Sequence, residues 1–351
     1  MKVETAANPE TMVRPMMIEL SRDADRKEML DKGNLFVRQF PPERALAIAS
    51  AMSFANPLFV PDIPDGPARE LAMPLEKFAE FVFRAKLTIK HSTQPNILVA
   101  CAPKSASTFI HAALVKALRL PQACLFTATL DWPSAISLGA ALREQDPDEL
   151  SLIRNGLNQR GYVAQHHTRC SPYQARLLDT YNVKPILTYR NIFDTVVSMD
   201  DMVMDWRAQP SAEGYFADGM PSNFQTLPRE DRLLILAQRW TPWLVQFYVS
   251  WKKCERAGLT KPLWVSYDTD FLGDKQVLAT RIADHIGRNR ADPDKIAAAL
   301  QDTSEAKAKR INQGVAGRGR DLPAEVREHI LITAGSQQGL DFLAKALITP
   351  G

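Results

Sequence analysis

Apolar and polar positions change their period at Asn96. From there, short apolar or β-branched runs recur: "NILVACA" from Asn96, "GYVAQHH" from Gly161, "KPILTYR" from Lys184 and "PLWVSYD" from Pro262. Between and after them lie stretches with helical spacing at Thr108 to Leu118, Tyr173 to Tyr181, Thr195 to Trp206, Arg229 to Ala257 and Lys275 to Ile286. Strand runs alternating with crossover-length helices predict an α/β fold, a central parallel sheet flanked by helices on both faces. Upstream the pattern is helical and irregular by turns. "RDADRKEMLDKG" is polar, "PPERALAIASAM" starts a helix at its proline pair, "PLFVPDIPDGP" is a proline-rich loop, and "MPLEKFAEFVFRAKLTI" resumes helical spacing. The expected division is a helical and irregular N-terminal extension over residues 1–90 and an α/β domain over residues 91–351. No repeat period appears, which excludes a solenoid.

A chain of 351 residues with a 45% hydrophobic share has ample material for a core. Its net charge of +3 is too near balance for a wholly basic nucleic-acid binder, so an anion site must be local. Cys101, Cys124, Cys170 and Cys254 are far apart with no CxxC pair, which fits free thiols in a reducing compartment. The first twenty residues carry charges and prolines where a signal peptide has its apolar centre. The longest uncharged run, Ala45 to Pro61, is short of a bilayer span and broken by Ser50, Ser53, Asn56 and Pro57. The expectation is a cytoplasmic protein with no transmembrane segment. His91, His111, His285 and His329 are scattered, and the adjacent pair His166 and His167 lacks the i,i+4 spacing of helical zinc sites, so no metal is expected.

Chemistry concentrates where the first strand run turns into a helix, in "PKSASTF". A turn entering a helix presents unpaired backbone N–H groups and the positive end of the helix dipole, which suits an anion. Lys104 adds a mobile charge. Ser105, Ser107 and Thr108 supply hydroxyls that either cap the helix or bond phosphate oxygens. A Walker A loop is excluded, because no glycine occurs between Asn96 and Gly139. Ligands in parallel sheets bind outside the carboxyl ends of the strands, where Lys104, His167 and Arg190 all fall.

"PKSASTF" resembles the 5′-phosphosulfate loop, PKSGTTW in its usual form, of sulfotransferases that use 3′-phosphoadenosine 5′-phosphosulfate (PAPS). Ala106 replaces the glycine, Ser107 the first threonine and Phe109 the tryptophan. With alanine in the glycine's place, the turn is expected to avoid positive φ there. The resemblance covers roughly Asn96 to Leu322 and implies a P-loop NTPase-like sulfotransferase core. It also implies an arginine ending a strand and a serine eight residues later, both for the cofactor's 3′-phosphate. "YRNIFDTVVSM" offers Arg190 and Ser198, with Asp194 placed to cap helix N–H groups. "KRINQGVAGRGRDLPAE" resembles the family's C-terminal RKGxxGxW segment, which closes over the 3′-phosphate. It carries Arg310, Gly314, Gly317, Arg318 and Gly319, lacks the tryptophan, and leaves open which arginine touches phosphate. Tyr267, in a YED-like position at the end of a strand run, is a candidate to stack on or bond near adenine, or is packing.

The family's KTH motif, whose histidine takes the acceptor's proton, corresponds to "AQHHTRCSP", with Gln165 in place of the lysine. Neighbouring residues of a strand point to opposite faces, so one of His166 and His167 looks into the site, and His167 is favoured. The reaction implied is transfer of a sulfuryl group from PAPS to a hydroxyl or amine, releasing adenosine 3′,5′-bisphosphate (PAP) with no metal. Lys104 would neutralise the bridging oxygen, backbone N–H groups of residues 105–109 would hold the 5′-phosphate, and His167, with an ordinary pKa near 6.5, would be the base. The acceptor is unidentified; Phe126, Trp132, Tyr173, Trp206, Tyr215 and Phe224 line its pocket or belong to the core. Residues 1–90 are left for that pocket or for a homodimer face. The alternatives are a phosphoryl-transfer, kinase-like enzyme, a non-catalytic PAP-binding relative, and an interaction protein with no nucleotide site.

Overall fold

In the computed structural model, five parallel strands form one sheet in the order β2-β3-β1-β4-β5. The structure describes residues 9–23, 25–56, 58–62, 72–126, 145–205, 220–302, 304, 315–335 and 347–348. The strands are β1 (Asn96–Cys101), β2 (Gln122–Ala123), β3 (Tyr162–His166), β4 (Val183–Tyr189) and β5 (Leu263–Ser266). Every residue of β1 is buried, as an uninterrupted apolar run in a central parallel strand must be. Its side chains divide by alternation: Leu98 and Ala100 join one core, Ile97, Val99 and Cys101 the other.

Helices cover both faces. They are α1 (Val13–Arg22), α2 (Arg26–Val37), α3 (Pro42–Ala55), α4 (Leu75–Lys90), α5 (Ser107–Leu118), α6 (Glu149–Gly156), α7 (Pro172–Thr180), α8 (Ile192–Asp205), α9 (Arg229–Arg256), α10 (Lys275–Ile286), α11 (Pro293–Gln301) and α12 (Ala324–Gly335). Local signals start several of them. Ser171 and Gln174 form a capping box ahead of α7 with proline at its first position, and Asp148, Asp274 and Asp292 cap α6, α10 and α11. One core takes α7, α8, α9 and α12, with Trp240, Trp243, Phe247 and Trp251 of α9 at its centre. The other takes α5, α10 and α11. Helices α1 to α3 enclose a smaller core of Leu20, Met29, Phe36, Ile48, Met52 and Phe59, whereas Ala85 and Ile89 of α4 pack into the sheet's own core.

The strand order places the site. After β1 the chain moves outward on one side to β2 and returns to β3; after β4 it moves outward on the other side to β5. The connections therefore part between β1 and β4, and their carboxyl ends border a crevice, the position where open parallel sheets bind ligands. Register brings the two ends level, Cys101 beside Thr188.

Candidate anion site at the ends of strands β1, β3 and β4

The turn from β1 into α5 is wound tightly. Lys104 has φ 63° and Ala106 φ 62°, while Ser105 between them is not in the left-handed region. This corrects the expectation that alanine would keep φ negative at 106. The alternation costs about 1–2 kcal/mol at each left-handed residue, and the surrounding bonds hold it. Ala102 N–H donates to Thr188 O at 3.0 Å, and Ser105 Oγ donates to Ala102 O at 2.5 Å while taking a 2.6 Å bond from Thr188 Oγ1. Ser105 is thus fully buried and turned inward. Successive peptides of alternating hand form a concave nest of N–H groups, and no side chain caps α5 at Ala106. Phe109 faces away, edge-on to Phe271 at 5.4 Å in the core. Ser107 Oγ and Thr108 Oγ1 both meet the amide of Gln165 on β3, at 3.0 and 3.4 Å.

Across the crevice Arg190 is 4% exposed and held by its neighbours. Its Nη1 donates to Lys104 O at 3.3 Å, its Nη2 to Val315 O at 2.9 Å, and its guanidinium lies 4.1 Å from the ring centroid of Tyr267. Arg190 Nε is buried without a hydrogen-bond partner among the described residues. A guanidinium N–H left in that condition is costly, and an anion is its natural complement. Tyr248 fixes the backbone there, its hydroxyl meeting Arg190 N at 3.4 Å and Arg190 O at 3.2 Å.

Asp194 does not cap its own helix; Asn191 Oδ1 does, accepting from Phe193 N at 3.0 Å and Asp194 N at 3.5 Å. The Asp194 carboxylate instead accepts from Gly317 N and Gly319 N, each at 2.7 Å, and lies 3.7 Å from Arg190 Nη2. Segment 315–319 is thereby seated on the start of α8. Gly319 is required by contact, since a Cβ there would stand 2.3 Å from Phe193 Cβ and 2.8 Å from its carbonyl carbon. Arg318 pairs with Asp201 at 2.6 Å. Ser198 is buried within α8. Arg310 and Gly314, together with Trp132, Trp206 and Tyr215, lie outside the described residues.

The two histidines diverge. His166 is buried, its Nε2 accepts from Leu125 N at 3.0 Å, and burial lowers its pKa to about 3. His167, half-buried at the end of β3, donates from Nδ1 to Cys101 O at 2.8 Å, which assigns the lone pair to Nε2. Its backbone N–H is held by Gln145 Oε1 at 2.9 Å, and its ring is edge-on to Trp243. Burial brings its pKa down to about 4, well below the ordinary 6.5 expected for it. Tyr267 is buried, covered by the Arg190 guanidinium and stacked on Phe271 at 5.6 Å, so its ring supports the arginine. Asp268 beside it accepts at Oδ2 from Asn191 N at 3.3 Å, and burial raises its pKa. Of the pocket candidates that are described, Phe224 is buried in the core, Tyr173 is exposed, and Phe126 packs edge-on to His166 at 4.9 Å.

Lys104, Ser107, Thr108, Arg190, Gly317 and Gly319, far apart in sequence, are therefore joined at one crevice. Gln165, Thr188, Asp194 and Tyr248 complete it. A polar residue closing an apolar strand run was the available signal for Gln165 and Thr188; nothing local marks Tyr248. Among the described residues no group of three or more His, Cys, Asp or Glu is arranged to hold a metal. Comparison with known proteins found no family model that matches the chain, and no significant match to a curated protein or a solved structure.

Proposed function

We propose that the chain is a sulfotransferase that moves a sulfuryl group from PAPS to a hydroxyl or amine of a small-molecule, lipid or carbohydrate acceptor and releases PAP. The observation that carries the proposal is the crevice between β1 and β4. An uncapped, left-hand-alternating turn with Lys104 faces a buried arginine whose Nε is unpartnered among the described residues. Backbone N–H groups of residues 105–109 hold the 5′-phosphate, and Arg190, Ser198 and the glycine segment around Arg318 hold the 3′-phosphate. The acceptor oxygen attacks sulfur in line, the bond from sulfur to the bridging oxygen breaks, and its electron pair stays on the 5′-phosphate of PAP. Lys104 offsets that growing charge, and His167 Nε2 takes the acceptor's proton. Fixed cationic and backbone donors do the neutralising, so the chemistry asks for no divalent ion.

Calorimetric titration of PAP against ATP, each with and without magnesium, tests the proposal on the wild type and on Arg190→Ala. Magnesium-independent PAP binding that weakens in the variant is expected. If PAP fails to bind, or ATP with magnesium binds more tightly, the phosphoryl-transfer alternative replaces it.

A further inference from the structure

The amide of Gln165 on β3 reaches both hydroxyls at the mouth of α5. Its Nε2 stands 3.0 Å from Ser107 Oγ and 3.4 Å from Thr108 Oγ1, with Cys101 Sγ farther off at 3.9 Å. Register fixes the backbone position from which it reaches them, since Gln165 pairs with Val99 of β1 in the interior of the sheet. An amide NH₂ has two hydrogens and no lone pair to offer. Each hydroxyl that receives one of them has spent acceptor capacity and keeps its own O–H hydrogen for another partner. The Cys101 thiol, which also meets Ser107, competes weakly for that hydrogen, because burial pushes its pKa up to about 12 and keeps the sulfur neutral. Ser105, the third hydroxyl of the turn, is consumed internally.

We propose that Gln165 is a positioning residue that sets the polarity of the turn: by donating to Ser107 and Thr108 it fixes both hydroxyls as donors toward an anion seated in the nest. The inference rests on the anion-binding reading of this turn and adds what selects its ligand. A site whose hydroxyls are oriented to donate favours groups whose oxygens only accept, fully ionised phosphate or sulfate esters, over protonated or neutral ones. A lysine in the same place would add charge but impose the same donor sense, so the amide does this work without a second cation beside Lys104.

Glutamate at this position is nearly isosteric and reverses the sense, because a carboxylate accepts from both hydroxyls and turns their hydrogens away from the ligand. Binding of PAP and, separately, of inorganic pyrophosphate is measured on wild type, Gln165→Glu, Gln165→Met and Gln165→Glu in a Ser107→Ala/Thr108→Val background. Gln165→Glu should weaken binding by about tenfold or more, from the loss of hydrogen bonds to a charged group, and Gln165→Met by less. Acidification that protonates the introduced carboxylate should narrow the gap between Gln165→Glu and wild type measured at the same pH, a response a merely structural role would not give. Removing both hydroxyls should shrink the effect of Gln165→Glu to what direct charge repulsion alone supplies. Equal affinity of wild type and Gln165→Glu, or an undiminished loss without the hydroxyls, overturns the proposal. Pyrophosphate binding without PAP binding defeats the PAPS reading while leaving Gln165 to be judged on pyrophosphate. Binding of neither anion to the wild type overturns both.

Discussion

Ala106 carries the local cost of the turn. Its φ of 62° suits glycine, and relief of about 1–2 kcal/mol of left-handed strain outweighs the extra unfolded-chain entropy that glycine brings. Ala106→Gly should therefore be neutral or stabilising by up to about 1 kcal/mol, and Ala106→Val, branched at Cβ, should destabilise by about 1–3 kcal/mol. Urea denaturation midpoints measure both, and a glycine variant clearly weaker than wild type would contradict the left-handed turn. The histidines set a pH window. His166 and His167 have folded pKa values lowered by burial to about 3 and about 4, below the ordinary 6.5 of the unfolded chain. As pH falls through 6.5 the unfolded state takes up protons that the folded state refuses. The stability held above that pH is then lost, at about 1.4 kcal/mol per pH unit for each imidazole. Between pH 7 and pH 5 each should remove about 2 kcal/mol from the unfolding free energy, and His166→Asn should flatten that loss by one group's share. If His167 is the base, the acid limb of kcat/KM should lie near pH 4 and not near 6.5.

At the scale of elements, the docking of segment 315–319 on α8 is exposed to a single methyl group. Gly319→Ala places a Cβ 2.3 Å from Phe193 Cβ and 3.0 Å from Asp194 N, so the segment should lift and the two bonds to Asp194 lengthen. Hydrogen exchange at the Gly317 and Gly319 amides should accelerate, with PAP binding weakened alongside; unchanged protection would show that the clamp tolerates the methyl. How far such features are legible in sequence depends on what determines them. β1, β3, β4 and β5 declared themselves through apolar runs, and α10 through its helical period, because burial of a whole run or of one stripe is written residue by residue. β2 is two residues long and exists through its pairing with Val163 and Ala164, so no local pattern marks it. α11, absent from the helices expected from the sequence, nevertheless has a start signal in Asp292 and Pro293. In the site, Lys104 and Arg190 follow from their places at strand ends. The role of Asp194 does not, since its partners are more than a hundred residues away, and Ala106 misleads because bonds from Thr188 and Ser105 hold a conformation that alanine alone would not choose.

For the whole molecule, the parallel sheet with helices on both faces is the architecture that the alternation of strand and helix patterns predicts. No helix among the described residues is long and apolar enough to cross a membrane. The bonds from Gly317 and Gly319 to Asp194 span 123 and 125 positions, and Arg190 to Val315 another 125. Contacts of that separation close large loops and are reached late, after local helices and neighbouring strands have formed. During synthesis, which runs from the N-terminus, the turn bearing Lys104 and the strand ending in Arg190 exist well before residue 315 leaves the ribosome. The growing chain therefore carries half of the proposed anion site, with the Asp194 carboxylate uncovered beside it. On the proposed function, ligand capture waits for the segment around Gly317 to fold back, so acquisition of binding should report the arrival of that segment and not the appearance of the sheet.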